Sequence, residues 1–395
     1  MIVIHILCII LFIYLATTLG YLWMLAIAGR FGRLRRYTSA PEKARISVLI
    51  PSYKEDNIIV DTARQALLQQ YPADRYTVTV IADKLRPETV QELKQLPVRV
   101  VEVLFEKSMK AKSLHEAFRQ CDGQYDLAMV LDADNLMSDD VLEKVNHAFQ
   151  SGWEVIQCHR TAKNKNTSVA VLDALSEEAN NTMFRSGQRV LGLSCALIGS
   201  GMAFRYDLLK GIFDLPQILD NPGEDREVDI QLVKKGIMVE YIADAYIYDE
   251  KVQRKEVFEK QRTRWLGTQV DHLKRFLSKD VRSQAPGKIY WNKIFQCLFL
   301  PRLLLVALFF LIAVAAVLDV LFKGSWLVPA WEWWMGLMLI YVATLLTAIP
   351  ASFYNRDTLK ALLKIPSLLI SMLKALAGIK KNKAGFLHTP KEFSR

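Results

Sequence analysis

Residues 127–134 have the sequence LAMVLDAD: five apolar residues, then two aspartates separated by one alanine. A run of four to eight apolar residues bounded by polar positions predicts a buried β-strand. Asp132 and Asp134 therefore follow a strand directly, at the point where the chain leaves the sheet. In parallel sheets, ligands bind beyond the carboxyl ends of the strands, so this stretch predicts both the sheet and its ligand-binding edge.

Other segments share the Val- and Ile-rich character of this strand, and helical patterns separate them. The predicted strands are 46–50, 77–82, 98–103, 127–131 and 153–157, and the predicted helices are 57–70, 87–95, 111–120 and 139–150. Alternation of strand and helix predicts an α/β domain, with a mostly parallel sheet covered by helices on both faces. We expect this domain to occupy residues 45–285.

The segment before this domain predicts a transmembrane helix at residues 1–30. Residues 2–29 contain no Asp, Glu, Lys or Arg, and as a helix they would extend about 42 Å, beyond the roughly 30 Å hydrocarbon core of a bilayer. Arginines follow this apolar segment directly, beginning at Arg30. A signal peptide instead carries its positive charge before the apolar segment, which is also shorter. The positive-inside rule then places Arg30 in the cytoplasm.

Two further spans are predicted within residues 303–354, at 303–322 and 333–354. Residues 30–45 carry a net charge of +5 and residues 353–395 one of +7, and three spans put both basic segments on the same side. We therefore expect a multi-pass protein of the cell (inner) membrane with the 45–285 domain in the cytoplasm.

Two segments near these spans predict helices that lie in the membrane interface. Residues 286–302 carry Trp291, Phe295 and Phe299 as candidate lipid anchors. Residues 358–379 place their lysines on one stripe and their leucines opposite, and a basic cytosolic tail completes the 358–395 segment. A fourth transmembrane span at 358–379 is the alternative.

Composition narrows the class of protein further. Half of the residues (51%) are hydrophobic, which excludes a disordered chain. The basic excess lies beside apolar segments rather than on one face of the domain, so we expect a lipid bilayer as partner and no nucleic acid. The five cysteines include no Cys-x-x-Cys pair, so neither a zinc site nor a disulfide framework is indicated.

Three motifs carry candidate chemistry. Asp132 and Asp134 can place hard oxygens around Mg²⁺ or Mn²⁺, which commonly also binds a nucleoside diphosphate; turn or cap carboxylates are the alternative. Glu224-Asp225 follows an Asn-Pro-Gly turn and precedes a predicted helix at 228–235, where acids are also common as caps. Gln261, Arg264 and Trp265 share a helix face that suits a phosphate and a sugar ring, although Trp265 alone also fits a membrane-interface anchor.

These residues resemble the membrane-integrated family 2 glycosyltransferases, the group of cellulose, chitin and hyaluronan synthases and related N-acetylglucosaminyltransferases. The motifs occur in the family's order: Asp83, Asp132-Ala133-Asp134, Glu224-Asp225 and Gln261-Arg262-Thr263-Arg264-Trp265. The resemblance covers residues 45–270 and extends to the flanking membrane segments. It implies a GT-A fold and a sugar nucleotide donor, a UDP-sugar.

The resemblance also implies roles for the donor-binding residues. Asp83 matches a uridine-contacting aspartate, and Pro51, Tyr53 and Glu55 match the first nucleotide loop, with Lys54 where the family usually has Asn. Lys110 matches a lysine segment in which Met109 and His115 replace the usual Gly and Asn. Asp132 and Asp134 would hold the nucleotide and the metal, and Arg264 would contact the diphosphate.

For the acceptor side, the resemblance implies that Asp225, beside Glu224, is the catalytic base, with Gly223 where Thr or Ser is common. The loop Gly199-Ser200-Gly201 would lie near the acceptor, and Gln261 and Trp265 would form its sugar platform. One base opposite the leaving group predicts inversion at the anomeric carbon, with no nucleophilic carboxylate.

The sequence thus predicts a metal-dependent inverting glycosyltransferase that moves a hexose or N-acetylhexosamine from a UDP-sugar to a glycan, in polysaccharide synthesis. Three spans are few to enclose a polymer pore, so a homo-oligomer or a partner subunit for export is expected if the product is long. One alternative is single addition to a lipid or lipid-linked acceptor. Another is an inactive membrane scaffold or nucleotide sensor.

Overall fold

The computed structural model describes residues 1–37, 40–121, 124–221, 223–285 and 287–370, and it leaves out the side chains of residues 255, 256, 259, 260 and 262–268. The predicted basic tail, and residues 371–379 of the predicted interfacial helix, lie outside the described residues.

In the described part of the chain, one sheet has the strand order β3-β2-β1-β4-β7-β6-β8-β5. Its strands are β1 (Ile46–Tyr53), β2 (Tyr76–Asp83), β3 (Arg99–Val103), β4 (Leu127–Val130), β5 (Leu136–Met137), β6 (Val155–Ala162), β7 (Met202–Arg205) and β8 (Glu240–Asp249). The five predicted strands are β1–β4 and β6, with ends that differ by up to five residues.

The two halves of this sheet differ in strand direction. The pairs β1–β2, β2–β3 and β1–β4 are parallel, as the alternating pattern predicts. Strand β7 is antiparallel to both β4 and β6, and β5 is antiparallel to β8, whereas β6 and β8 are parallel. The sheet is therefore mixed and mostly parallel.

Helices surround this sheet and continue into the apolar ends of the chain. They are α1 (Ile2–Phe31), α2 (Ile59–Ala66), α3 (Pro87–Lys94), α4 (Lys110–Gln120), α5 (Val141–Gln150), α6 (Ser168–Asn180), α7 (Gln188–Val190), α8 (Tyr206–Phe213), α9 (Pro216–Leu219), α10 (Glu224–Lys234), α11 (Lys255–Phe276), α12 (Lys279–Gln284), α13 (Gly287–Cys297), α14 (Arg302–Phe322), α15 (Trp331–Ala348) and α16 (Arg356–Leu362). A π-helical segment, Asn181–Gly187, joins α6 to α7.

Each face of the sheet has its own hydrophobic core, because successive side chains of a strand point to opposite faces. Val48 and Ile50 of β1 pack with α2 and α5 on one face. Leu49, between them, packs with α4 and α8 on the other. The helices on both faces confirm the predicted α/β architecture.

Three helices of the described chain, α1, α14 and α15, are long and apolar enough to cross a membrane. They pack together through a third hydrophobic core, which also takes in Met183 of the π-helical segment. Arg302, at the start of α14, donates hydrogen bonds to the carbonyl oxygen of Ser176 and to Asn180 Oδ1, at 2.9 and 2.6 Å. The membrane-type helices are therefore bonded directly to α6 of the sheet domain.

The contact between α1 and the π-helical segment brings two backbones together. A Cβ atom on Gly29 would lie 1.9 Å from the carbonyl oxygen of Thr182, and one on Gly187 would lie 2.2 Å from that of Leu25. Both distances are far below a van der Waals contact, so the two helices can approach this closely only with glycine at these positions.

The structure differs from the sequence expectation in three helical regions. Helix α10 begins at Glu224 rather than at 228, so the acidic pair forms its first turn, where carboxylates are favoured by the helix dipole. Phe295 of α13 and Phe299, two residues after its end, pack on the Tyr21 ring of α1, and of the three candidate anchors only Trp291 is largely exposed.

The third region is the segment 358–379. In its described part, helix α16 ends at Leu362, and a turn at 363–364 separates it from a second helical stretch at 365–370. Pro366 therefore stands at the start of a helix, where its missing N–H costs nothing, rather than at a kink.

Candidate active site

Three neighbouring parallel strands end at one edge of the sheet, and predicted site residues follow or end each of them. Tyr53 ends β1 and pairs with Asp83, which ends β2. Asp132 follows β4, the strand on the other side of β1. Pro51 lies two residues before Tyr53 in β1, and the backbone carbonyl of Glu55 accepts the first N–H groups of the helix that follows.

The Asp83 carboxylate lies at the bottom of this edge, only 1% exposed. Burial raises its pKa, against the opposing effects of the Ser108 hydroxyl and of Lys84. The Ser108 hydroxyl and the Phe105 N–H lie close enough to lower this pKa, but among the described residues neither reaches full hydrogen-bond distance and angle to a carboxylate oxygen. Such an acceptor pair fits the N–H donors of a nucleobase.

Two lysines with unusual backbone conformations flank this carboxylate. Lys54 (φ 56°) and Lys84 (φ 55°) both occupy the left-handed region, which non-glycine residues rarely adopt. Their ammonium groups lie 5.3 and 5.8 Å from the centre of the Tyr53 ring. Strained backbone of this kind is concentrated at ligand sites, and here it gathers positive charge beside the aromatic ring.

Lys110, the first residue of α4, connects two parts of the predicted site. Its Nζ lies 2.5 Å from Asp132 Oδ1 and donates to the carbonyl oxygen of Gly199 at 2.6 Å. Burial disfavours its charged form, but Asp132, Glu224 and Asp225 outweigh this effect, so the pKa of Lys110 is raised. The lysine is therefore a permanent cation facing carboxylates from two separate segments.

The loop at 199–201 lies against the acidic pair. Gly199 has a φ of +81°, and a Cβ atom there would lie 3.7 Å from Asp225 Oδ2. Asp225 Oδ1 accepts the N–H of Arg226 at 2.8 Å, which fixes the carboxylate at the start of α10. Gly201 packs against Ile247 in the core, where a Cβ atom would approach to 2.6 Å.

The pKa of Glu224 is raised to about 7 by burial, with the Asp225 charge acting in the same direction and Lys110 against it. Asp132, Asp134, Glu224 and Asp225, together with Lys110, are called the carboxylate cluster below. Asp132, Glu224 and Asp225 act on the Lys110 charge, and the four acids of the cluster outnumber its one lysine, so the balance of the cluster favours negative charge.

Asp134 is held by the residue that follows it. Asn135 donates from Nδ2 to Asp134 Oδ1 and to Asp249 Oδ1, both at 3.1 Å. Its Oδ1 accepts the Ser200 hydroxyl at 2.6 Å, and Ser200 Oγ in turn accepts the Asp132 N–H at 2.9 Å. Ser200 is therefore a buried support of the loop that carries Asp132 and Asp134, and the expectation that the 199–201 loop lies near the acceptor stays a prediction.

Asp132 and Asp134 are the residues that would hold a divalent metal. Carboxylate oxygens suit Mg²⁺ and Mn²⁺, and the excess negative charge of the cluster favours a cation. Within the described residues, no group of three or more His, Cys, Asp or Glu side chains could hold a metal. Two carboxylates suit Mg²⁺, which usually keeps several waters and binds through one or two carboxylates together with phosphate oxygens.

Helix α11, which carries Gln261, packs on the helix of the acidic pair. His272 Nε2 lies 3.1 Å from the carbonyl oxygen of Arg226, next to Asp225. Gln261 is half-buried, and its Oε1 has no hydrogen-bond partner among the described residues. The backbone of Arg264 and Trp265 belongs to α11, but their side chains lie outside the described residues, so their proposed contacts stay predictions.

A second group of charges lies beyond Asn135, and sequence reasoning missed it. This buried ion network contains Arg160, Glu177, Arg185, Asp249 and Lys251. Glu177 pairs with Arg160 at 2.9 Å, with Lys251 at 2.8 Å and with Arg185 at 3.6 Å, and Lys251 also pairs with Asp249 at 2.7 Å. These charges hold the pKa of Glu177 well below its usual range despite burial.

One signal for this network was visible in the sequence. Glu177, Asn181 and Arg185 are spaced four residues apart, which places these three polar groups on one face of a helix. Asn135 had no comparable signal beyond its position next to Asp134.

Comparison with known proteins agrees with this architecture. A family model described as glycosyltransferase like family 2 matches residues 43–268, more than half of the chain. The probable glycosyltransferase YdaM of Bacillus subtilis (strain 168) is 22% identical over 246 residues, which are 57% of this chain and 55% of that protein. The chain thus matches about half the length of this curated relative.

A solved structure, the mannosyltransferase PcManGT from Pyrobaculum calidifontis in complex with GDP-Man and Mn²⁺, aligns over 96% of this chain and 100% of its own, with 16% identity and a TM-score of 0.54. At this identity the likeness concerns the fold, and it confirms a GT-A-like α/β fold.

Proposed function

The chain belongs to the glycosyltransferase-like family 2, and from that premise we propose that it is a membrane-bound, metal-dependent inverting glycosyltransferase. It transfers a hexose or N-acetylhexosamine from a UDP-sugar to a glycan acceptor, in polysaccharide synthesis. The Lys110 contacts carry this proposal most directly, because one ammonium group faces Asp132 on the donor side and Glu224 and Asp225 on the acceptor side.

In the proposed reaction, an acceptor hydroxyl attacks the anomeric carbon while the nucleoside diphosphate leaves from the opposite side. Asp225 takes the proton of this hydroxyl, because its carboxylate is fixed at the start of α10 and lies against Gly199. The hydroxyl oxygen forms the new glycosidic bond as the bond to the diphosphate breaks, so the anomeric configuration inverts.

The leaving diphosphate gains negative charge, which the site must stabilise. Lys110, which is paired with Asp132 after β4, supplies a positive charge that would stabilise the diphosphate. A Mg²⁺ or Mn²⁺ ion held by Asp132 and Asp134 would act as a Lewis acid on the phosphate oxygens. Arg264 is proposed as a further diphosphate contact, and Trp265 with Gln261 as the platform for the acceptor sugar.

On the nucleotide side, Asp83 is proposed to accept a hydrogen bond from an N–H of the base. Tyr53, which pairs with Asp83 in the sheet, is proposed to lie beside the base. The Asp83 carboxylate is 1% exposed, and among the described residues no donor meets full hydrogen-bond geometry to its oxygens, which supports this role. A uracil base offers one ring N–H. A guanine base offers two donors on one edge, and since PcManGT binds GDP-Man, GDP-mannose is the second donor to test.

The membrane arrangement is part of the proposal. Helices α1, α14 and α15 cross the inner membrane, with the sheet domain in the cytoplasm, because the basic segments at 30–45 and 353–395 then lie on the same side. Three spans are few to enclose a polymer pore within one chain. This favours, as a second candidate function, single addition to a lipid or lipid-linked acceptor.

A donor screen tests the proposal. Purified full-length protein in lipid nanodiscs is incubated with Mn²⁺ or Mg²⁺ and with each of UDP-glucose, UDP-N-acetylglucosamine and GDP-mannose, and the released nucleoside diphosphate is measured. Product mass analysis with membrane lipid extract then separates a ladder of long chains from a single added sugar. Absence of release with every donor, in the presence of acceptor extract, would favour the inactive scaffold.

A further inference from the structure

We propose that Asn135 positions the metal-binding carboxylate of Asp134, and that it couples this carboxylate to the 199–201 loop. This inference rests on the proposed metal-dependent function. It concerns a residue that contacts neither substrate nor metal in the proposal and that acts only through its neighbours.

The hydrogen bonds of Asn135 leave no freedom for its side chain. Its two Nδ2 hydrogens go to Asp134 Oδ1 and Asp249 Oδ1, and its Oδ1 accepts the Ser200 hydroxyl. The residue is 0% exposed, and the three partners come from three different segments of the chain. The amide is therefore satisfied in a single orientation.

The partners of Asn135 are themselves fixed. Asp249 accepts a charge-assisted hydrogen bond from Lys251 at 2.7 Å, and Lys251 is held by Glu177 at 2.8 Å. Ser200 accepts the backbone N–H of Asp132. Asn135 thus ties Asp134 to the buried ion network on one side and to the backbone of Asp132 on the other.

This arrangement is what a rigid metal site requires. Carboxylates that bind a metal are generally held by hydrogen-bonding partners, whose loss typically costs about 10–100-fold in metal affinity. Asparagine suits the position because it donates to two carboxylates without adding charge. An aspartate there would bring a further negative charge between Asp134 and Asp249, and a leucine would leave both without this donor.

Mn²⁺ binding to the full-length protein in nanodiscs, measured by the loss of the free Mn²⁺ signal in electron paramagnetic resonance, tests the role. The titration is run with Mn²⁺ alone, with Mn²⁺ and UDP, and with Mn²⁺ and GDP. We expect Asn135→Ala and Asn135→Ser to weaken Mn²⁺ binding about 10-fold or more. Nucleotide binding in the presence of EDTA should stay within twofold of the wild type.

The chain offers a matched control in Asn146. It is also 0% exposed, and it bonds to the N–H of Ala44 and the carbonyl of Glu42, at the start of the sheet domain. Asn146→Ala therefore removes a buried asparagine of equal burial without touching the site. Its Mn²⁺ affinity should equal that of the wild type.

The possible results separate this inference from the proposed function. If the wild type binds Mn²⁺ and both Asn135 variants bind it equally well, Asn135 has no positioning role. If both variants lose their thermal unfolding transition together with Mn²⁺ binding, the role is structural and the inference is overturned. If the wild type itself retains no Mn²⁺ with either nucleotide, the metal-dependent part of the proposed function fails, and this inference fails with it.

Discussion

The carboxylate cluster and the buried ion network lie side by side, joined by Asn135, yet they balance charge in opposite ways. In the network, Glu177 and Asp249 face three cations, and all five side chains are largely shielded from solvent. In the cluster, Asp132, Glu224 and Asp225 act on the Lys110 charge, and Asp134 follows Asp132 by two residues. The network has one more cation than it has anions, whereas the cluster has more acids than cations, so the cluster is the part that favours added positive charge.

This difference separates structural from chemical roles. A buried charge that loses its partner costs folding free energy, because nothing else can solvate it. A site that keeps excess charge gains binding energy for a ligand of opposite sign. Substitutions in the network should therefore act on stability, and substitutions in the cluster should act on the reaction.

The largest effect is expected from Asp225→Asn, on the rate of sugar transfer. The amide keeps the size of the carboxylate but cannot take a proton, so sugar transfer should fall by about 10²–10⁴-fold. Donor binding, measured by calorimetry with the nucleoside diphosphate and Mn²⁺, should remain. Transfer at a near wild-type rate would show that Asp225 is not the base.

Glu177→Gln should act in the opposite manner, on stability. It leaves Arg160 and Lys251 without their shared carboxylate, and we expect a loss of about 3–5 kcal/mol in the stability of this region. Hydrogen–deuterium exchange of α6 and β6 measures the effect as faster local opening. Glu92→Gln is the control, because its half-exposed pair with Arg64 is worth at most about 1 kcal/mol. Equal exchange in the two variants would contradict the prediction.

Gly29→Ala tests whether the buried ion network depends on the contact between α1 and the π-helical segment. The new methyl group would meet the Thr182 carbonyl at 1.9 Å, and overpacking against backbone should cost about 3 kcal/mol. Exchange should accelerate in Asn181–Gly187. Gly20→Ala, on the same helix with nothing within 4 Å of its Cβ, should change nothing, and a similar response from both variants would rule out a specific contact.

A smaller effect is expected from pH at His272, beneath the helix of the acidic pair. Burial, together with the nearby Arg226 charge, lowers its pKa to about 4. In the unfolded chain His272 is protonated below about pH 6.5, whereas in the folded chain it is protonated only below about pH 4. The free energy of unfolding therefore falls as the pH drops from 6.5 towards 4. At pH 5 the loss is about 2 kcal/mol.

Thermal unfolding of the wild type and of His272→Gln between pH 7 and 5 measures this contribution. The glutamine can still donate to the Arg226 carbonyl but does not titrate in this range. The wild type should therefore lose more stability than the variant, and parallel pH profiles would contradict the assignment.

The sequence predicted the first half of the sheet well, for a physical reason. Strands β1 and β4 lie in the middle of this half of the sheet and are mostly buried, so both are rich in apolar residues. Strand β8 could not be found in this way, because its exposed Tyr246 and Tyr248 alternate with buried residues. Strand β5 has only two residues, too few to leave any periodic signal.

The site was predictable in part for a similar reason. Asp83, Asp132 and Asp225 follow strands or turns, where a carboxylate is conspicuous. Asn135 and Glu177 act through partners distant in sequence, and no local pattern reveals such pairs. The segment between β6 and β7 was also missed, since its helices pack on membrane-type helices and pair charges internally.

The backbone contacts at Gly29 and Gly187 have a mechanical consequence. The backbones of α1 and of the π-helical segment touch directly, with no side chain between them. A displacement of one therefore displaces the other. Asn181 and Arg185 lie on that segment, joined by a hydrogen bond of 2.5 Å. A tilt or axial shift of α1 would therefore displace Arg185, which pairs with Glu177, and would reach the buried ion network that Asn135 joins to Asp134.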